Sequence, residues 1–493
     1  MSYLGISAGF HDAAISLVGD NGQVIFAGHS ERYSKNKNDH ILDPELINEV
    51  INENVTSIAY YERPWNKQLR QLYAGGGVDW SALTARQIIK NQLPQEAWDK
   101  WKHLPIQTYN HHLSHAAAGF QTSPYSRATV VVIDAIGEWD TITIWAAYYE
   151  NERAVYKKLW GQKYPHSIGL FYSAMTQRAG LKPLEEEYIL MGMAAYSVPD
   201  YSMLEDFIAD KDNIIFKQNL QLGADNYKPN CNEFNIAASA QHLVEILIHK
   251  VMEKANAFQW SNNLVYMGGV ALNCSANESL GAYFKNIWIM PNPGDAGSSL
   301  GAAALSYGRR LNWKHPYLGQ NIPGPYPTNK LLDCLLSDRI VGVASGRAEF
   351  GPRALGNRSL LADPRGPDIK SLVNQIKRRQ QFRPFAPVIL EEYVNEYFFM
   401  PDGFPTSPYM QVVARCKYPE KFPAIIHKDG TSRVQTVGKD TGSGIRELLE
   451  KWFVLTGCPM LLNTSLNIRG EPMVNDRADA DRFESLYSIK VES

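Results

Sequence analysis

Short apolar runs separated by glycine or aspartate open the chain. "YLGISAG", "AAISLVG" and "VIFAGHSER" read as three strands joined by tight turns. Polar residues from Lys35 to His40 predict an exposed loop, and the pattern from there to Leu104 reads as helix-rich. "IQTYNHH" then leads into a cluster of histidines. "ATVVVIDAIGEWDTITIWAAYY" predicts a strand, a loop and a strand, a plan resembling the opening one and hence a weak internal duplication. "NNLVYMGGVALNCSANESL" predicts a buried strand, a double glycine and a helix. "IWIMPNPGDAGSSLGAAALSYG" predicts a strand, a loop and a small-residue helix. Four prolines between Trp313 and Lys330 mark a linker, and arginines among glycines follow it. Two domains are expected, 1–330 and 331–493.

Bulk composition adds exclusions. A formal net charge of −2 over 493 residues gives no general attraction to nucleic acid or membrane surfaces. Five scattered cysteines without a C-x-x-C pair argue against a disulfide framework and a cysteine-based zinc site. The first residues lack the basic start and cleavage site of a secretory signal. No run of about 18 apolar residues predicts a membrane span. A cytoplasmic protein with reduced cysteines is the expectation.

Asp12 in "GFHDAA" and Asp134 in "VVIDAIGEWD" fall in turns between strands, where a carboxylate can orient a hydrated cation while backbone N–H groups face phosphate. Gly137, Gly268, Gly269, Asn273 and Gly294 are the matching candidates for nucleotide contact, since a strand-to-helix junction can hold an anion. Each alone is equally an ordinary turn. Together, in this order, they look like the two-lobed ATPase architecture of actin, the sugar kinases and the heat-shock ATPases. His111 and His115 lie four apart, so a helix would place them on one face. They could ligate one metal, with Asp134 and Asp295 as further ligands, or they could cap and support the fold. Two imidazoles and two carboxylates suit Fe(II), Mn(II) or Zn(II) better than Ca(II). H-E-x-x-H is absent, which argues against a metallopeptidase. His112 points elsewhere and is read as a hydrogen-bonding neighbour. His11 could accept a hydroxyl proton or be a loop histidine bonded to backbone.

The second domain carries a basic patch. Arg347, Arg353, Arg358 and Arg365 fall within "GRAEFGPRALGNRSLLADPR"; Lys377, Arg379 and Arg383 fall within "IKRRQQFRPFAP". Arginines on glycine-rich turns favour bidentate binding of phosphate or carboxylate. Asn463, Ser465 and Asn467 lie in a polar turn after a strand. A solvated charged face is the competing reading, and the compact patch fits a small phosphorylated ligand better than a nucleic-acid backbone.

These blocks, "GFHDAAISL", "NHHLSHAAAGF", "MGMAAY", "GGVALNCSAN", "PGDAGSSLGAA", "GRAEFGPRALGNRSLLADPR", "FRPFAP" and "LLNTSLNIRGEP", run in order through nearly the whole chain. The sequence resembles the O-carbamoyltransferase family of nodulation-factor and antibiotic carbamoyltransferases. The resemblance implies an α/β protein with an N-terminal Kae1-like branch of the actin-like (ASKHA) fold and a C-terminal YrdC-like domain with a mixed sheet. It implies ATP and carbamoyl phosphate as substrates, forming carbamoyl-adenylate in the second domain. Transfer to a hydroxyl of a small-molecule acceptor (natural product, sugar or nucleoside) would follow in the first. It implies a divalent metal on His111, His115, Asp134 and Asp295, with Fe(II) the first choice and Mn(II), Zn(II) or Mg(II) the others. His11 and Asp12 would be catalytic. Arg347, Arg353, Arg358, Lys377, Arg379, Arg383, Asn463, Ser465 and Asn467 would bind carbamoyl phosphate and ATP.

Two departures stand out. Ile189 occupies a position where relatives commonly carry lysine, while Glu187 is kept. The polar C-terminal stretch replaces an apolar strand, which could leave a sheet edge for a partner chain, a homodimer included. The rival reading is a nucleotide- or nucleic-acid-modifying, threonylcarbamoyl-like transferase. Near-neutral charge argues against nucleic acid, although a nucleotide acceptor stays open.

Overall fold

The computed structural model describes residues 1–493. The chain forms two compact units: Met1–Phe26 with His40–Trp313, and Ala27–Asp39 with Lys314–Ser493. The crossing at Trp313–Lys314 falls within the proline-rich stretch. The segment Ala27–Asp39, early in the sequence, is built into the second unit. No helix is long and apolar enough to cross a membrane.

The first unit is duplicated. Strands β1 (Ser2–Ser7), β2 (Ala14–Gly19), β3 (Val24–His29), β4 (Val55–Tyr60) and β5 (Ile106–Thr108) form a sheet of order β3-β2-β1-β4-β5. β1 pairs antiparallel with β2 and parallel with β4, and β4 pairs parallel with β5. Strands β6 (Arg127–Gly137), β7 (Asp140–Glu150), β8 (Arg153–Lys163), β9 (Asn263–Met267) and β10 (Asn286–Trp288) repeat the plan as β8-β7-β6-β9-β10. Here too β6 is antiparallel to β7 and parallel to β9. An antiparallel meander extended by parallel strands, present twice, is the two-lobed actin-like plan. The duplication read from two strand–turn–strand units therefore extends to five strands each.

The span to Leu104 is helix-rich and also holds strand β4, whose Ile58, Ala59 and Tyr60 are fully buried. Two local readings are corrected. After β9 the chain forms 3-10 turns at Gly269–Leu272 and Ala276–Ala282, with no α-helix. Gly268 leaves the strand at φ 92°, a left-handed value that favours glycine. Asp134 lies within β6, and Asp295 opens a 3-10 turn.

Helices α1 (Pro64–Tyr73), α2 (His111–Thr122) and α3 (Ser298–Tyr307) complete what the site needs. Side chains are small on α3 because neighbours approach its backbone. A Cβ on Gly301 would lie 1.8 Å from Ser114 O of α2, and one on Gly5 of β1 would lie 1.9 Å from Ser299 O. Both distances are far below contact, so only glycine lets β1, α3 and α2 pack this closely.

The second unit is built on a six-stranded mixed sheet. Its strands are β11 (Ile340–Ala344), β12 (Arg358–Ala362), β13 (Ala386–Leu390), β14 (Gln435–Val437), β15 (Met460–Ser465) and β16 (Val491–Glu492), in the order β14-β13-β15-β12-β11-β16. Side chains alternate between two cores. Val341, Val343, Leu361, Val388 and Leu461 face one, and Ile340, Ala344, Leu360, Ile389 and Leu462 face the other. Both faces are thus covered, and the strands read as near-continuous apolar runs. Edge strand β16 pairs with β11 over two residues, Val491 and Glu492.

Candidate active site

Asn110 caps α2 by accepting from Leu113 N, which fixes the helix one residue before His111. From that start, His111 and His115 project one turn apart from the same face, as their spacing requires. Both are buried, at 2% and 0% side-chain exposure. Their Nε2 atoms lie 3.1 Å apart. Asp134 Oδ2, from β6, lies 3.1 Å from His111 Nε2, and Asp295 Oδ1 lies 3.1 Å from His115 Nε2. All four ligand atoms fall within 4.8 Å of one another.

The donor set fits a cation. His115 Nδ1 donates to Pro293 O at 3.0 Å, leaving the Nε2 lone pair aimed at the cluster. His111 Nδ1 faces Glu62 Oε2 at 3.6 Å and has no closer polar partner. Two imidazole nitrogens and two carboxylates pointing inward at one another would repel unless a positive charge lies between them. Protons are the alternative, and the field favours them. Burial opposes charge on His111, but Asp295, Asp134 and Glu62 outweigh it and raise its imidazole well above the usual value. Burial would raise the Asp134 carboxyl, and its contacts with His111 and His115 instead hold it well below the usual range. A second proton on each ring would nevertheless set two N–H groups 3.1 Å apart, whereas a metal ion satisfies all four ligands at once.

His11 borders this cluster. Asp12, at φ 52°, reverses the chain between β1 and β2, and its Oδ2 accepts from His11 Nδ1 at 2.9 Å. His11 Nε2 lies 3.5 Å from Asp295 Oδ2. Burial lowers this imidazole, but Asp295 and Asp12 prevail and raise it to about 9. His112 turns away and pairs through Nδ1 with Thr143 Oγ1 at 2.9 Å, where burial and His111 keep it neutral.

The glycines and Asn273 divide by surroundings. Gly137 makes room for rings: a Cβ there would lie 2.4 Å from His111 Cδ2 and 2.5 Å from His112 Cδ2. Gly269 N donates to Asp134 Oδ1 at 3.2 Å. Gly268 passes so close to Ile133 O that a Cβ would lie 2.1 Å from it. Gly294 has open space around the missing Cβ. Asn273 exchanges two hydrogen bonds with Gln241, each at 3.0 Å. Gly294 and the exposed Gly269 are thus the two positions open to a ligand, whereas Gly137, Gly268 and Asn273 are engaged within the fold. Ile189 is buried, and Glu187 accepts from Ser173 Oγ and Leu184 N.

Sequence reasoning missed Glu62 and Glu138. Glu138 follows Gly137 at φ 59° in the turn matching that of Asp12. Its buried carboxylate accepts from Arg63, Asn66, Asn110 and His111 N, tying the starts of α1 and α2 to the β6–β7 turn. Glu62 lies two residues past the end of β4. Recognising "VTSIAY" as the fourth strand would have pointed to it, because ligand-facing residues gather beyond the carboxyl ends of parallel strands.

In the second unit the basic residues separate in the same way. Arg358 is fully buried, and its guanidinium donates to the carbonyls of Asn475, Ser345, Asn357, Gln320 and Gly346. Its donors are spent on backbone, so Arg358 holds the fold together. Arg347 donates to Gly319 O and Leu318 O. Asn463 donates to Ala354 O and Gln435 Oε1. Arg365 pairs with Asp363. Arg353 lies half-buried on the loop before β12.

Lys377, Ser465 and Asn467 come together. Lys377 ends helix α4 (Ile369–Ile376), and its Nζ lies within 3.3 Å of Ser465 O, Ser465 Oγ, Asn467 O and Asn467 Oδ1. Burial and then Arg379, Arg383 and Lys37 push this ammonium well below its usual value. Arg379 donates to Asn374 Oδ1 and Pro384 O and lies over the Phe385 ring. Lys37 belongs to the early segment, which is anchored in this unit by Arg32 Nη2 donating to Gly351 O at 2.8 Å and by an ion pair between Lys35 and Asp479. A patch in which the neighbours of a buried ammonium are three further cations is suited to an anion with several oxygens.

Known proteins carry the same two parts. The family model described as carbamoyltransferase N-terminus matches residues 61–304, and the one described as carbamoyltransferase C-terminus matches 332–491. An uncharacterised protein of Synechocystis is 33% identical over 97% of this chain and 93% of its own length. Nodulation protein NolO of Bradyrhizobium diazoefficiens is 31% identical over 75% of each chain. Nodulation protein NolNO of Sinorhizobium fredii is 29% identical over 95% of this chain and 76% of its own. His111, His115, Asp134 and Asp295 fall in the first matched stretch and Lys377, Ser465 and Asn467 in the second, and the chain belongs to the carbamoyltransferase family, an enzyme that transfers a carbamoyl group.

Proposed function

We propose that the protein is an ATP-dependent O-carbamoyltransferase working in two steps. At the basic patch of the second unit, water releases phosphate from carbamoyl phosphate, and the resulting carbamate oxygen bonds to the α-phosphorus of ATP as pyrophosphate leaves, giving carbamoyl-adenylate. The carbamoyl group then passes to a hydroxyl of a small-molecule acceptor at the histidine–carboxylate cluster, releasing AMP. The observation that carries this reading is the convergence of His111, His115, Asp134 and Asp295 beside His11.

A divalent cation held by those four residues, with Fe(II) the first choice, would supply Lewis-acid charge at a nucleotide phosphate. Gly269 and Gly294 leave the backbone beside Asp134 and Asp295 open to such a group. Asp12 accepts from His11 Nδ1, and a cation held by Asp295 would offset the carboxylate charge that raises this imidazole, freeing Nε2 to take the acceptor's hydroxyl proton. As that proton moves to Nε2, the hydroxyl oxygen bonds to the carbamoyl carbon, and the bond from that carbon to the phosphate oxygen breaks. In the second unit, Arg379, Arg383, Lys37 and Arg353 bind the phosphates, and Lys377 with Ser465 and Asn467 forms the floor of the patch. Arg358 and Arg347 act through the fold.

The test omits the acceptor. The full chain is incubated with ATP, carbamoyl phosphate and a divalent metal, and pyrophosphate is measured. Release that depends on carbamoyl phosphate and falls in Arg383→Ala supports the first step. No such release under any metal would sink the proposal.

A further inference from the structure

We infer that Glu62, held in place by Lys67, is a positioning residue for the metal ligand His111; this rests on the reading of the cluster as a metal site. The two ligand histidines are oriented differently. His115 Nδ1 is fixed by a neutral carbonyl, Pro293 O. His111 Nδ1 is buried without a hydrogen-bond partner, and the polar group facing it is the Glu62 carboxylate at 3.6 Å. The other carboxylate oxygen, Oε1, accepts from Lys67 Nζ at 2.8 Å. Glu62 is 3% and Lys67 12% exposed, so the pair is shielded from water and its charges act at nearly full strength.

The surroundings give this pair a defined geometry. Glu62 lies beyond the carboxyl end of β4, and Ser114 Oγ of α2 donates to the neighbouring Tyr61 O, which fixes that strand end against the helix carrying both ligands. The Tyr61 ring packs 5.1 Å from the His111 ring and limits its rotation. Lys67 comes from α1 and also lies over the Phe10 ring, itself packed on His11. A carboxylate on the far nitrogen fixes the tautomer that frees Nε2 and raises the basicity of the ring toward a metal.

The experiment is a Co(II) titration of the full chain, read by the visible absorption of the bound ion and by calorimetry. Glu62→Gln keeps an oxygen for Nδ1 but removes the charge; Glu62→Ala removes both. Expected are a 10–100-fold loss of Co(II) affinity in Glu62→Ala, a smaller loss in Glu62→Gln, and a shifted absorption band in both. Far-ultraviolet dichroism and thermal melting separate these effects from misfolding. Unchanged affinity and spectrum in both variants, with binding abolished in His111→Ala, would overturn the role of Glu62 and leave the metal site standing. No Co(II) binding by the unsubstituted chain would overturn both.

Discussion

The two candidate sites collect opposite charge and solve burial differently. In the first unit, buried carboxylates and imidazoles point their acceptors at a common centre, with a carbonyl on the outward nitrogen of His115 and the Glu62 carboxylate facing that of His111. In the second, cations gather around Lys377, and several others are neutralised by backbone carbonyls instead. The comparison teaches that a buried charge points to a ligand only after its partners are counted. Arg358 is the most buried arginine of its patch and the least available to a substrate.

The strongest test of this contrast removes one group from each side. His111→Ala should lower metal affinity by more than about 100-fold, beyond the 10–100-fold typical of residues outside the ligand set. It should also abolish transfer while carbamoyl-phosphate-dependent pyrophosphate release survives. Loss of both activities together would break the assignment of the steps to separate sites. Arg358→Met should act on stability instead. Five carbonyls lose a charged donor at once, and a cost of more than about 3 kcal/mol is expected in denaturant unfolding. A stable Arg358→Met protein with weakened phosphate binding would return Arg358 to the substrate site.

Smaller effects sharpen the picture. Arg383→Ala should raise the KM for carbamoyl phosphate by about 10-fold, the weight of one charged hydrogen bond. Gly137→Ala inserts a methyl against the rings of His111 and His112. Its expected cost is about 1–3 kcal/mol of stability, together with weaker metal binding as the rings shift. A change in nucleotide affinity alone would instead restore Gly137 as a nucleotide contact.

Much of this was legible in sequence, for identifiable reasons. The 3.6-residue helical period forces His111 and His115 together, and paired turns between strands announce a duplicated sheet. Side-chain chemistry makes Asp134 and Asp295 candidate ligands, and the structure brings both carboxylates to His111 and His115 from a strand and a 3-10 turn where the sequence predicts loops. What stayed hidden depends on tertiary partners. β4 was lost because its short apolar run lies among helix-like polar spacing, and Glu62 was lost with it. Nothing local in "GNRSLL" says that Arg358 meets five carbonyls, four of them from Gln320, Ser345, Gly346 and Asn475 on other segments. Nor does the polar stretch Lys35–His40 reveal that Ala27–Asp39 packs with residues three hundred positions later.

The smallest expected effect concerns the charge on Lys377. Burial and three neighbouring cations lower it in the folded chain, whereas the unfolded chain keeps the ordinary value of 10.5. Between the lowered value and 10.5, the unfolded state binds more protons, so this group makes stability rise with pH across that window. The slope belongs to Lys377 insofar as Lys377→Met removes it. An oxyanion among Arg379, Arg383 and Lys37 offsets their repulsion, favours the ammonium and brings the folded value back toward the unfolded one. Phosphate should therefore flatten the difference between the unsubstituted chain and Lys377→Met when unfolding midpoints are measured from about pH 7 to 10. The same slope with and without phosphate would mean that the anion binds away from Lys377, and the basic side of the comparison would have to be redrawn around Arg353.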